Sequence, residues 1–282
     1  MRDNDIYVTF ANGFRLPKIG LGTFSIHSSM YFSKAMDTGC RLFDTAAKYG
    51  NEKDLGLALQ QNVDNENTIV ISKVNELLYL GRRRYLHLDR MSIRKCFRKA
   101  SKRLHGKCPD VFLLHSVFDR YTDAYSELID LYEQGSVKAI GICNSLNVSE
   151  LEKIKDKCGC YPMINQIEVH PYHFPQKLID FCNEHGIQVI ARSPLAHGDI
   201  LDDIKHELRE QVNCYSKTPV QIILRWLFQK GIVTIARTSN VAHLQENLSV
   251  PNFALSETDV RYIDSLNKNQ SYGYFSTKQQ WG

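Results

Sequence analysis

No apolar run in the 282 residues is long enough to cross a bilayer, and residues 1–7 are polar and charged where a secretory leader needs an apolar stretch. Membrane insertion and export are therefore not expected, and the reading is a soluble, cytoplasmic protein. There is no CxxC pair either. The eight cysteines (Cys40, Cys96, Cys108, Cys143, Cys158, Cys160, Cys182 and Cys214) follow no framework spacing and read as free thiols. Cys158 and Cys160 flank a single glycine, but no second ligand pair follows at zinc-site spacing, so no metal is expected. Low-complexity blocks and Pro/Gly linkers are missing, which leaves 1–282 as one domain. The net charge is only +4, with no basic stripe carrying interleaved aromatics, and this argues against a nucleic-acid partner. No apolar surface stripe stands out, so a monomer is expected.

What is present is an ordinary globular composition, 43% hydrophobic and 23% charged, sufficient for a proper core. The alternating segments 6–10 and 14–16, joined across Asn12-Gly13, predict an N-terminal β-hairpin. Short β-branched runs then recur at 19–21, 42–43, 69–72, 111–114, 137–142, 164–169, 188–191 and 233–236. Helical periodicity recurs at 29–38, 52–61, 90–104, 122–134, 148–157, 175–184, 219–229 and 241–248. Eight β-then-α units are the number that closes a (β/α)8 TIM barrel of the α/β class, here with an extra C-terminal helix at 257–266 and a tail. A dinucleotide-binding Rossmann unit is the rival, since Gly20-Leu21-Gly22 follows a strand and Asp44 ends the next. Its third glycine is missing, however, because Ser25 stands there.

A barrel of this kind carries its site at the carboxyl ends of its strands. Residues just past the apolar runs are Asp44 with Tyr49, then Lys73, His115, Asn144, Gln166 with Glu168, Arg192 and Arg237. Asp, Tyr, Lys and His at one rim suit carbonyl reduction, where hydride reaches carbon and an acid protonates oxygen. Tyr49 is the candidate acid. A free phenol titrates near pH 10, about three units above neutrality; an adjacent Lys73 ammonium, itself paired with Asp44, is expected to lower it. Neutral His115 would orient or polarise the carbonyl oxygen. No side chain supplies a hydride, so a nicotinamide cofactor is implied.

Phe43-Asp44-Thr45-Ala46 with Tyr49-Gly50-Asn51-Glu52 resembles the first signature of the aldo-keto reductases. Ile71-Ser72-Lys73-Val74, residues 110–115, Gly135-Ser136-Val137-Lys138-Ala139-Ile140-Gly141, Asn165-Gln166-Ile167-Glu168-Val169-His170-Pro171, Ser193-Pro194-Leu195 and residues 218–226 resemble further family segments in order. The resemblance implies catalytic Asp44, Tyr49, Lys73 and His115. It also implies cofactor contacts at Gly22, with Asn144 and Gln166 at the nicotinamide carboxamide, Thr23 and Asp44 toward its ribose, and Ser193 and Leu195 at the pyrophosphate. Arg237, Thr238, His243, Glu246 and Asn247 fall at the adenosine end. A cation and a hydroxyl at Arg237 and Thr238 suit a 2′-phosphate, hence NADPH. Phe24, Asn75 and Ser116, with Tyr49 and His115, match the substrate pocket.

Three departures from the family pattern matter. Arg192 stands where an aromatic residue usually stacks under the nicotinamide, and its charge is expected to favour the reduced cofactor. Cys143 replaces a serine beside the carboxamide, and residues 76–89 form an insertion carrying Arg82, Arg83 and Arg84, which could face an anionic substrate or only water. The expected activity is NADPH-dependent reduction of a small-molecule aldehyde or ketone. The alternative that Arg192 and Cys143 suggest is an NADPH-binding sensor or regulatory subunit with incidental turnover.

Overall fold

A computed structural model describes residues 6–62, 65–74 and 90–273. Asn75, the three arginines at 82–84 and the tail aromatics Tyr274, Phe275 and Trp281 lie outside them. The hairpin pairs β1 (Tyr7–Thr9) antiparallel with β2 (Arg15–Pro17). Its turn is set by Gly13, at φ +81°, and by Asn12, whose Oδ1 accepts from the Phe14 N–H at 3.0 Å.

Eight strands follow: β3 (Ile19–Gly22), β4 (Leu42–Asp44), β5 (Ile69–Val74), β6 (Val111–Leu114), β7 (Ala139–Cys143), β8 (Ile164–Glu168), β9 (Gln188–Arg192) and β10 (Val233–Arg237). All pair in parallel, and β10 returns to β3 to close the barrel. The Rossmann alternative is thereby excluded, because an open sheet would leave these two strands at its edges.

Between the strands run α1 (Ser29–Asp37), α2 (Glu52–Gln61), α3 (Arg90–Arg103), α4 (Tyr121–Glu133), α5 (Val148–Cys158) and α6 (Gln176–Glu184). They are followed by α7 (Leu201–Glu207), α8 (Arg209–Tyr215), α9 (Pro219–Gln229), α10 (Val241–Leu248) and α11 (Glu257–Ser265). The pair α7 and α8 is not expected from the strand–helix alternation. It forms because Ile200, Ile204 and Leu208, four residues apart, turn one buried face inward. Caps fix several starts: the Thr218 and Gln221 side chains close a capping box at α9, and Ser28 accepts from the Tyr31 N–H at α1.

Side chains alternate along each strand, and the inward set explains both the core and the site. Leu42, Ile71, Val111, Leu113, Ile164, Ile190, Val233 and Ile235 fill the barrel interior, and Phe10 and Leu16 of the hairpin pack with them. Two residues further along, the same face presents Asp44 after Leu42, Lys73 after Ile71, His115 after Leu113, Gln166 after Ile164, Arg192 after Ile190 and Arg237 after Ile235. The polar mouth is thus the continuation of the apolar core by one period.

Candidate active site

Asp44, Tyr49 and Lys73 meet inside this mouth. The ammonium of Lys73 donates to Asp44 Oδ1 at 2.5 Å, to the Thr45 carbonyl at 2.9 Å and to Tyr49 Oη at 3.5 Å. Lys73 is 1% and Asp44 4% exposed, so the pair is shielded from water and from salt. Burial alone would pull the Lys73 ammonium down. The Asp44 charge, with Tyr49, outweighs this and holds it above the ordinary lysine range.

Tyr49 departs from the sequence expectation. Lys73 does draw its phenol down, but burial, the larger influence, pushes it up, and Asp44 adds to this, so the group sits above its usual value. Tyr49 therefore keeps its proton at neutral pH. Because Lys73 donates to the phenol oxygen, the phenol hydrogen is left for another acceptor.

The segment that delivers Tyr49 is pinned from several sides. A single 3-10 turn, Ala47–Tyr49, ends on Gly50 at φ +73°, where a side chain would be strained. The buried Asn51 accepts from Thr45 Oγ1 at 2.8 Å and donates to the Thr23 and Ile26 carbonyls at 2.6 and 2.9 Å. Beside it, buried Glu52 accepts from Ser72 Oγ at 2.7 Å and is paired with Arg103. Sequence reasoning assigns these two residues no task. The signal is a carboxylate and an amide on the inner face of an amphipathic helix, where neither survives without partners.

His115 stands edge-on to the Tyr49 ring at 5.9 Å, and Phe24, 47% exposed, is also edge-on to it at 5.2 Å. Burial first, then the charges of Lys73, Lys48 and Arg192, lowers the His115 imidazole to about pH 3, so it is neutral throughout the physiological range. Ser116 is buried next to it in sequence.

The other expected contact residues lie round the same rim. Gly22 is in register with Asp44 on one side and Arg237 on the other. Thr23 is fully buried, with its hydroxyl donating to the Asp44 carbonyl at 2.9 Å. Gln166 Nε2 donates to Asp44 Oδ2 at 2.8 Å, and Cys143 Sγ lies 3.6 Å from Gln166 Oε1. Asn144, in the left-handed region at φ +58°, donates to the His115 carbonyl at 3.0 Å and accepts from Arg192 Nε at 2.8 Å. Ser193, Ala196 and His197 also have positive φ, shaping the loop that holds Ser193 and Leu195. At the outer end Arg237 is exposed, with Nε donating to the Phe24 carbonyl at 2.7 Å; Thr238 Oγ1 accepts from the Asn240 N–H at the start of α10. His243 and Glu246 are exposed along α10, and Asn247 is buried.

Arg192 is not the isolated cation that the sequence suggests. Glu168 Oε2 lies 3.7 Å from its terminal nitrogen and counters its charge, which weakens the electrostatic ground for preferring reduced over oxidised cofactor. Burial raises the Glu168 carboxyl, but hydrogen bonds from His170, Ser271 and the Tyr272 N–H, together with Arg192, overcome this and bring it to about 2. The depressed value fixes the sign. Glu168 stabilises the fold fully above the unfolded value of 4.5, and its contribution disappears as pH falls toward 2. Urea midpoints measured across that window are expected to fall more steeply for the wild type than for Glu168→Gln; parallel slopes would contradict the assignment.

A model of the "Aldo/keto reductase family" matches residues 18–268. The chain belongs to this family. It is accordingly an oxidoreductase of the NAD(P)H-dependent, carbonyl-acting kind. It is 33% identical to the glyoxal reductase of Bacillus subtilis over 273 residues, covering 94% of both chains. It is 30% identical to the methylglyoxal reductase DkgA of Escherichia coli, covering 96% of both. Among solved structures, a variant of Gox0644 in complex with NADPH superposes with a TM-score of 0.82 at 27% identity, covering 93% of each chain.

Proposed function

We propose that the protein uses NADPH to reduce a small aldehyde or ketone to the alcohol, with Tyr49 donating the proton. The observation that carries this is the contact of the buried Asp44–Lys73 pair with the Tyr49 phenol, with the neutral His115 ring beside it. The residues present fit the cofactor. Arg237 and the Thr238 hydroxyl form a cationic corner suited to a phosphate. Asn144 and Gln166 each spend one amide hydrogen on the protein and keep one for a carboxamide oxygen. Ser193 and Leu195 would border the pyrophosphate, and His243, Glu246 and Asn247 the adenosine. When bound, NADPH supplies the hydride.

The protein's part is to bind, orient and protonate. Phe24, Tyr49, His115 and Ser116 form the wall against which a carbonyl compound rests. Neutral His115 donates a hydrogen bond to the carbonyl oxygen. Tyr49 Oη releases its proton to the same oxygen as charge builds there, and Lys73 then faces the phenolate it leaves. The names of the glyoxal and methylglyoxal reductases among its relatives support a small substrate.

The test is NADPH absorbance followed against glyoxal, methylglyoxal, a bulky aromatic aldehyde and an acidic aldehyde. Turnover of the small compounds is expected. Tight NADPH binding with no member of the panel consumed would favour the sensor reading. Arg237→Ala is expected to raise the KM for NADPH about ten- to a hundredfold, the worth of one charge-assisted contact, with NADH unaffected. Equal losses for the two cofactors would remove Arg237 from the phosphate site.

A further inference from the structure

Glu168 ends β8 and is paired in register with Arg192 at the end of β9. It is 2% exposed, and its two oxygens are fully used. Oε1 lies 3.1 Å from His170 Nε2 and accepts from the Tyr272 N–H at 2.7 Å. Oε2 accepts from Ser271 Oγ at 2.7 Å and faces the Arg192 guanidinium. Two of these four partners come from a segment about a hundred residues later in the chain. That segment approaches as closely as it does because Gly273 has no side chain; a Cβ there would collide with the Glu168 carboxylate and the Arg192 guanidinium. The Gly273 N–H in turn donates to Ser271 Oγ at 3.3 Å, orienting that hydroxyl.

On its other side Arg192 reaches Asn144. The terminal torsion of an asparagine is broad and two-fold, so the amide needs external partners to settle which way it points. Arg192 Nε, able only to donate, fixes Oδ1 toward itself, and the His115 carbonyl takes one hydrogen from Nδ2. The direction of the remaining Nδ2 hydrogen then follows. An arginine released from Glu168 would sample several rotamers and lose this control.

We propose that Glu168 is a positioning residue for the nicotinamide end of the cofactor: it holds Arg192, which orients the Asn144 amide, and residues 271–273 are the clamp that holds Glu168. This rests on the reading above that Asn144 meets the nicotinamide. The C-terminal segment thereby becomes part of the cofactor site through Glu168 and Arg192.

Binding of NADPH and of its adenosine bisphosphate half, which lacks the nicotinamide, would be titrated for Glu168→Gln, Arg192→Met, the double variant and Ser271→Ala. Each single change at 168 or 192 is expected to weaken NADPH about tenfold while the fragment stays within about twofold. The double variant is expected to be no weaker than the worse single, since both act on one amide. Ser271→Ala, the milder change, should shift NADPH in the same direction by about threefold, and it carries the test if Glu168→Gln does not fold. Equal losses for both ligands, multiplied losses in the double variant, or an unchanged NADPH affinity in Ser271→Ala and Arg192→Met would overturn the proposal. A folded wild type that binds the fragment but gains nothing from the nicotinamide half would instead overturn the placement of Asn144, and this proposal with it.

Discussion

Tyr49→Phe is expected to lower kcat for carbonyl reduction about a thousandfold, while the Kd for NADPH changes by no more than about twofold. Phenylalanine keeps the ring that contacts Phe24 and His115 and deletes only the oxygen facing Lys73. Packing therefore persists, and in the proposed mechanism what is lost is the proton for the substrate oxygen. Because burial keeps the phenol protonated and His115 is neutral far below its usual range, the wild-type rate should show no limb near pH 6.5 from His115. Stopped-flow single turnovers would separate this from a change in product release. A variant retaining more than about a tenth of the wild-type rate would assign the proton to another group.

Lys73→Met should affect stability as well as rate. The ammonium is the principal partner of the buried Asp44, and its removal leaves that carboxylate with Gln166 alone among the described side chains. Breaking one side of a buried ion pair costs about 3–5 kcal/mol, or roughly 10 °C in Tm for a chain of this length. Lys73→Met combined with Asp44→Asn should recover much of the Tm, because the unpaired charge is gone, yet recover no activity. Calorimetry with a turnover assay on all three variants checks both halves. The sign of the pH dependence also follows. With the folded ammonium held above 10.5, the contribution of Lys73 is complete below that pH and is lost only above it. The stability gap between wild type and Lys73→Met should accordingly not narrow as pH rises from about 6 to 9. A gap that closes within this range would mean that the pair titrates there.

Much of the site was legible because the barrel enforces a simple rule. A strand's inward residues are two apart, so a polar residue two positions beyond a buried aliphatic one must emerge inside the mouth. Asp44, Lys73, Gln166 and Arg192 are placed by that rule alone, and Tyr49 by its closeness to Asp44 behind a glycine-ended turn. Glu168 lies one period beyond Gln166 on the same strand, but its task depends on residues 271–273, and no local pattern connects two segments about a hundred residues apart. The same holds for the Tyr49 phenol. A lysine nearby lowers a pKa and burial raises it, and which wins depends on how much protein surrounds the oxygen. The short helices α7 and α8 escaped because the alternation of strands and helices has no place for them, although the buried Ile200, Ile204 and Leu208 keep a helical spacing.

The amino-acid order by itself determined the eight alternating units, the hairpin ahead of them and the identity of the polar groups at each strand end, since period and turn chemistry are local properties of the chain. Only the tertiary structure decided that β10 meets β3, that Glu168 answers the charge of Arg192, and that the phenol keeps its proton. These are consequences of distance and dielectric, and both are set when remote segments pack against one another.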